Sequence, residues 1–181
     1  MESKSKLLGH PIHPMLIVFP LGLFTSAIIF DILYLITRNE LYAAVSFYNI
    51  AGGISGGLLA AIFGFRDWLA VPAGTRAKRI GLLHGIGNVL VVLLFAWSLL
   101  ARQGAAGFAP SAVALIPSFI AIALAAVSGW LGGELVDRLG VGVDPGAHLN
   151  ASSSLSGEPA AGQNHPVLVP VTGEEPEKDE P

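Results

Sequence analysis

The 181-residue sequence contains no cysteine. This excludes disulfide bonds, a thiolate nucleophile, and zinc or iron–sulfur centres held by cysteine. Charged residues are also scarce: they make up 13% of this chain, about half the share usual in soluble domains. The motifs H-E-x-x-H, G-x-S-x-G and the P-loop are absent, and the glycine-rich stretch AGGISGGLLAAIFG lacks the strand–turn–helix context of a dinucleotide fold. No catalytic residue is predicted, and a non-enzymatic role is favoured.

What the sequence does contain is four long apolar segments, at residues 14–37, 43–65, 81–101 and 111–135. An α-helix of about 20 residues crosses a hydrocarbon core of about 30 Å, so each segment is long enough to span a membrane. Membrane β-strands would be shorter and would alternate polar with apolar residues. The sequence therefore predicts an all-α polytopic membrane protein, with four transmembrane helices bundled within residues 1–143.

The composition changes at Asp144. From there to the C-terminus the chain carries seven of its 13 acidic residues and one of its 10 basic residues, in a stretch rich in Ser, Gly, Pro and Glu. Such a stretch cannot bury enough apolar surface to offset the entropy lost on ordering. Residues 144–181 are therefore predicted to form a disordered acidic tail.

Basic residues are distributed unevenly between the two ends of the predicted bundle. The opposite end holds Arg38 and Arg102, whereas the end with the N-terminus holds seven: Lys4, Lys6, Arg66, Arg76, Lys78, Arg79 and Arg138. Loops rich in Lys and Arg stay in the cytoplasm. We therefore expect a multi-pass protein of the cytoplasmic membrane (the inner membrane in a bacterium), with both termini in the cytoplasm.

Small residues recur at every fourth position in two of the predicted helices. The second helix has Gly52, Gly56, Ala60 and Gly64, and the fourth has Ala121, Ala125, Gly129 and Gly133. Ridges of small residues let helix backbones approach closely in lipid. We expect them to pack helices together, either within the bundle or between copies in a homo-oligomer. The alternative interpretation is that they leave room for a flat cofactor against the backbone.

Unusual polar residues gather at the predicted cytoplasmic end. The stretch GHPIHPM places His10 and His13 at the start of the first helix, His84 lies early in the third, and Glu134 lies at the end of the fourth. Ionisable residues at membrane depth are candidates for function. Neutral imidazoles can ligate haem iron, or bind a divalent metal together with a carboxylate. His13 and His84 are the predicted ligands of haem b or a metal, with His10 and Glu134 as second choices. The alternative is that these histidines are only hydrogen-bonded structural groups.

Two further polar features lie within the first helix. Pro20 removes one backbone hydrogen bond, which predicts a kink. Asp31 lies nearer the other end, two turns before Arg38. The sequence predicts that Asp31 pairs with Arg38 or extends toward the membrane interface.

Three stretches resemble the domain-of-unknown-function 2231 family: GHPIHPMLIVFPLGLF, GTRAKRIGLLHGIGN and SGWLGGELVDRLGVGV. The resemblance covers residues 7–143 and implies a four-helix membrane protein of bacteria or archaea, without an established activity. Members are sometimes joined to Rieske-type iron–sulfur modules, which implies redox partners, although this sequence contains no such module. The last family motif often reads LVYRHGVGV. Here Asp137 and Leu139 replace its tyrosine and histidine, so a ligand at that histidine would be missing.

These observations leave three hypotheses of function. The first is a small redox or electron-transfer component of the membrane that holds haem b or a metal and has a redox protein as partner. The second is a non-enzymatic subunit or scaffold that packs through its glycine ridges and recruits a partner with its tail. The third is a transporter with a proton relay through Asp31, Asn49 and the histidines, ranked last because no inverted repeat is visible. Nothing in the sequence indicates nucleic-acid binding.

Overall fold

The computed structural model of the protein describes residues 1–161. Residues Met1–Val143 form one compact unit, and the described residues 144–161 belong to a second unit. The first unit contains four helices: α1 (Ile12–Thr37), α2 (Glu40–Ala70), α3 (Arg76–Arg102) and α4 (Ala112–Gly133). Each helix is long and apolar enough to cross a membrane. The predicted all-α fold with four membrane-length helices is therefore confirmed.

Short elements complete this unit. Strands β1 (Lys6–Leu7) and β2 (His10–Pro11) form an antiparallel pair before α1. A 3₁₀ turn at Ala106–Phe108 precedes α4, and a π-helical turn at Glu134–Arg138 follows it. In the second unit, residues 144–161 form turns and irregular segments. The predicted disorder of the tail stays a prediction, and most of its acidic run lies outside the described residues.

Helices α1, α2 and α3 begin before the apolar segments from which they were predicted, whereas α4 lies within its segment. Residue Asn39 precedes α2 and its side chain accepts a hydrogen bond from the Leu41 amide at 3.0 Å, and Thr75 caps α3 by accepting from the Lys78 amide at 3.1 Å. Capping side chains satisfy amides that have no partner inside the helix. The first turns of α2 and α3 are helical but polar. Hydropathy alone therefore places the starts of these helices too late in the sequence.

The bundle presents apolar residues outward and buries small and polar ones. Phe19, Ile62, Trp97 and Trp130 are each more than 60% exposed, whereas the serines at positions 46, 98, 118 and 128 are at most 1% exposed. In water this arrangement would be unfavourable, because large apolar side chains would face solvent. In lipid it is the expected one, since helices there associate through small residues and hydrogen bonds.

An apolar layer fills the middle of the bundle. At its centre the rings of Phe24 from α1 and Phe95 from α3 stack with centroids 4.0 Å apart and planes 1° apart. The other buried residues of the layer come from all four helices and include Ile50, Val91 and Ala121. The layer separates two polar clusters, one at each end of the bundle.

The N-terminal segment folds back over one end of the bundle. There the Asp67 carboxylate, near the end of α2, accepts hydrogen bonds from Ser3 Oγ at 2.6 Å, from the Lys4 amide at 2.8 Å and from the Ser5 amide at 3.2 Å. The N-terminal ammonium donates to the Gly140 carbonyl at 2.7 Å. These contacts connect both described ends of the first unit at the end where α1 and α3 begin.

Candidate functional site

The structure brings His13 and His84 together. Residue His13 lies in the first turn of α1, and His84 lies in the third turn of α3. Their ring centroids are 6.3 Å apart, and the ring planes are nearly perpendicular at 89°. The two residues predicted as first-choice ligands are therefore neighbours inside the bundle.

Each histidine ring is fixed by a backbone carbonyl of the neighbouring helix. The Nδ1 atom of His13 lies 2.9 Å from the Ala60 carbonyl oxygen on α2, and the Nδ1 atom of His84 lies 2.8 Å from the Ser128 carbonyl oxygen on α4. A carbonyl oxygen only accepts, so both Nδ1 atoms carry the proton. In a neutral imidazole this leaves the lone pair on Nε2, the atom that would bind a metal or a further proton.

The Nε2 atom of His84 has a partner within its own helix. The Asn88 side-chain nitrogen lies 3.0 Å from it and donates to the lone pair. In addition, Ser128 Oγ donates to the His84 carbonyl at 3.2 Å. The hydrogen bonds of the His84 ring are thus consistent with one neutral tautomer, protonated on Nδ1.

Glycines make the space for both rings. A Cβ added at Gly64 would lie 2.8 Å from Cε1 and Nδ1 of His13, and one added at Gly132 would lie 3.2 Å from Cε1 of His84. The first distance is too short for two carbons, and the second is tight. A side chain at either position would therefore push on an imidazole.

The glycine ridge of α2 packs against α1. A Cβ at Gly53 would meet the Phe24 ring at 2.5 Å, and one at Gly56 would meet Pro20 at 3.3 Å. Side chains of α1 fill this space, which favours helix packing over room for a flat cofactor along this ridge.

The ridge of α4 does not follow one face of the helix. Ala121 and Ala125 are buried, but Gly129 and Gly133 are exposed and have nothing within 4 Å of an added Cβ. An i+4 step advances by 400° around a helix, so a long i+4 row drifts off the buried face. The inward face continues instead through the buried Ser128 and the half-buried Gly132.

The two second-choice ligands have other surroundings. His10 is exposed on β2 and borders a shallow groove that also touches Met15 and Val136. Glu134 pairs with Arg76, with Oε1 and Nη2 2.7 Å apart. Among residues 1–161, no group of three or more His, Asp or Glu side chains is arranged to hold a metal ion. A centre at His13 and His84 would thus have two histidines as its protein ligands.

A second polar cluster lies at the other end of the bundle, and it corrects one expectation from the sequence. The carboxylate of Asp31 pairs with Arg102 rather than Arg38: both of its oxygens lie 2.6 Å from the guanidinium, and both side chains are fully buried. Arg102 therefore lies inside the bundle rather than in a loop.

Serines from three helices surround this ion pair. Arg102 Nε donates to Ser98 Oγ at 3.2 Å and Nη1 donates to Ser46 Oγ at 3.3 Å. In turn, Ser118 Oγ donates to Ser98 Oγ at 2.7 Å. The cluster connects all four helices. Sequence reasoning missed these serines because a serine in an apolar segment is not by itself a signal.

The apolar layer lies between the two polar clusters. His84 and Ser98 are 14 positions apart on α3, which is about 21 Å along a helix. Asn49 bonds to Ser26 at 2.9 Å rather than to either cluster. The described residues thus give the proton-relay hypothesis no continuous polar path across the bundle.

Comparison with known proteins identifies the family. The family model described as "Predicted membrane protein (DUF2231)" matches residues 9–145. No curated protein and no solved structure matches the chain. The matched region contains the four helices, the histidine pair and the buried ion pair. The chain therefore belongs to the DUF2231 family of predicted membrane proteins.

Proposed function

We propose that this membrane protein is a small redox component whose His13 and His84 side chains hold one transition-metal centre, as haem iron or as a bare ion. The observation that carries the proposal is that the Nδ1 atom of each histidine is hydrogen-bonded to a backbone carbonyl oxygen, at 2.9 Å for His13 and 2.8 Å for His84. Histidines that bind metals commonly donate Nδ1–H in this way, because the bond orients the ring and makes Nε2 a better ligand. A redox-active metal held there would take one electron from a reduced protein partner and pass it to an oxidised one.

The test is the optical spectrum and metal content of the protein purified in detergent. We expect either a Soret band with a reduced α-band or one equivalent of a redox-active transition metal. Both signals should be lost in His13→Ala and His84→Ala and kept in the control variants His10→Ala and Glu134→Gln. Protein that is folded but free of haem and redox-active metal, including after reconstitution with hemin, Cu(I) and Cu(II), would refute the proposal. A site that binds only Zn(II), which has no redox chemistry, would refute it as well.

We also propose that the histidine end of the bundle faces the cytoplasm. The distribution of basic residues supports this, and burial of Arg102 strengthens it, since Arg38 is then the one loop cation at the opposite end among residues 1–161. The cysteine-free chain suits a labelling test. In intact cells, a membrane-impermeant maleimide should label Asn39→Cys and leave Ser153→Cys unlabelled, and the reverse pattern would invert the topology.

A second candidate function is a membrane subunit that packs against a partner or another copy. The exposed surface at Gly129 and Gly133, beside the 65% exposed Trp130, favours it. Gly129→Leu should then dissociate a complex that Gly22→Leu leaves intact, because Gly22 is also exposed but lies on α1. Light scattering in detergent measures the assembly, and equal masses for all three proteins would refute this candidate.

A further inference from the structure

We infer that the membrane body consists of two repeats of one helical hairpin, α1–α2 and α3–α4, and that the proposed metal centre lies on the pseudo-twofold axis between them, where each repeat would supply one imidazole. The repeat itself rests on sequence register and contacts. The position and ligands of the metal rest on the function proposed above.

A single shift relates α1 to α3. Moving 71 positions along the chain takes His13 onto His84, Phe24 onto Phe95 and Asp31 onto Arg102. The same shift takes buried residues of α1 onto all the buried residues of α3: Pro20, Phe24, Ala27 and Asp31 correspond to Val91, Phe95, Ser98 and Arg102.

The contacts between equivalent residues distinguish this shift from chance. Any two amphipathic helices can be aligned by their buried faces, but a residue touches its own equivalent only near a twofold axis. Here three equivalent pairs meet along the bundle: the histidine rings at 6.3 Å, the stacked phenylalanine rings at 4.0 Å, and the Asp31–Arg102 ion pair at 2.6 Å. Helices α1 and α3 run in the same direction, so this axis lies along the membrane normal, as in parallel repeats.

Helices α2 and α4 follow the same symmetry with a shift of 68 positions. It takes Ala60 onto Ser128, the two residues whose carbonyls fix the histidine rings, and Gly64 onto Gly132, the two glycines beside those rings. Buried residues correspond as well, since Ser46, Ile50 and Gly53 fall on Ala114, Ser118 and Ala121. Each repeat thus supplies an imidazole, the carbonyl that fixes it and the glycine that makes room for it.

The position of the two rings on the axis indicates which groups could hold a ligand there. Their centroids are 6.3 Å apart, and each repeat supplies one of the rings. These two imidazoles would hold the ion, which would supply one-electron chemistry when bound, either as haem iron or as a bare ion such as copper.

Asn88 breaks the symmetry of the site. The residue equivalent to Asn88 in the first repeat is Ile17. The side-chain amide of Asn88 donates a hydrogen bond to the lone pair of His84 Nε2, at 3.0 Å. A metal bound by both Nε2 atoms must displace this hydrogen bond. Replacement by the equivalent residue, Asn88→Ile, should therefore raise the metal or haem occupancy several-fold. An occupancy that stays unchanged or falls would contradict ligation by His84 Nε2.

The repeat is tested independently of any metal by exchanging the charges across the axis in the full chain. Asp31→Arg and Arg102→Asp should each lower Tm steeply or abolish monodisperse protein in detergent, and the double variant should recover most of the loss. In the exchanged protein Arg at position 31 lacks the serine that Arg102 has one turn earlier, because Ser98 corresponds to Ala27. Adding Ala27→Ser should raise Tm by a further ~2–4 °C.

The outcomes separate the repeat from the proposed function. A double variant whose Tm does not exceed that of the less stable single variant would overturn the repeat. It would also be overturned if Ala27→Ser failed to raise the Tm of the exchanged protein, or if the same substitution changed the Tm of the wild type as much. Successful exchange in a protein that binds neither haem nor metal would leave the repeat standing and refute the metal centre.

Discussion

Removal of the Arg102 side chain should be among the most damaging single changes in this protein. In Arg102→Ala the Asp31 carboxylate would lose two hydrogen bonds of 2.6 Å and remain fully buried, and Ser46 and Ser98 would lose a donor. Breaking a buried ion pair by removing one partner costs about 3–5 kcal/mol, because it leaves an uncompensated charge. For a chain of this size that corresponds to a fall in Tm of roughly 6–20 °C.

The control is Arg38→Ala. Arg38 is the cation that the sequence suggested as the partner of Asp31, but it is exposed and lies 5.9 Å above the Tyr34 ring. Exposed contacts of this kind contribute about 0.5–1 kcal/mol. Thermal unfolding in detergent, followed by circular dichroism and by the fluorescence of the three tryptophans, compares the two variants.

The double variant Asp31→Leu, Arg102→Met adds a second check. It removes both charges together and replaces them with apolar side chains, so it should be within about 2 kcal/mol of the wild type, since buried ion pairs are often exchanged for apolar residues without loss. Equal stability of Arg102→Ala and Arg38→Ala, or a double variant no better than Arg102→Ala, would refute the described network.

Two further predictions concern the histidine end. Asp67→Ala should release the N-terminal segment and speed hydrogen exchange of the Lys4 and Ser5 amides at least tenfold, whereas Asp137→Ala, at an exposed position, should leave it unchanged. Gly64→Ala should destabilise the bundle by about 1–3 kcal/mol, because its Cβ would lie 2.8 Å from the His13 ring. The control Gly22→Ala should be neutral or stabilising. Equal changes in the free energy of unfolding for the two variants would contradict the described packing at Gly64.

The sequence predicts most of the architecture, because length and hydropathy identify each membrane-spanning helix. Helix ends are less predictable, since capping by Asn39 and Thr75 extends helices into polar segments. The proximity of His13 and His84 follows from similar depth on two helices, an inference that needs the topology and no detail of packing.

The Asp31–Arg102 pair could not be found in the same way. Its members are 71 positions apart, and Arg102 ends an apolar segment, so it looks like a loop cation. A signal does exist: Asp31 follows His13 by as many residues as Arg102 follows His84. Only the internal repeat gives this spacing a meaning, because it predicts that equivalent positions meet on an axis.

The central claim, that the histidine pair holds a metal centre, is tested most directly by the haem and metal content of the purified full-length protein beside His13→Ala and His84→Ala. We predict one haem or one transition-metal ion per chain in the wild type and equal loss from the two variants, since each supplies one of two equivalent ligands. A wild type that remains free of both after reconstitution, or a centre that survives in either variant, would contradict the account.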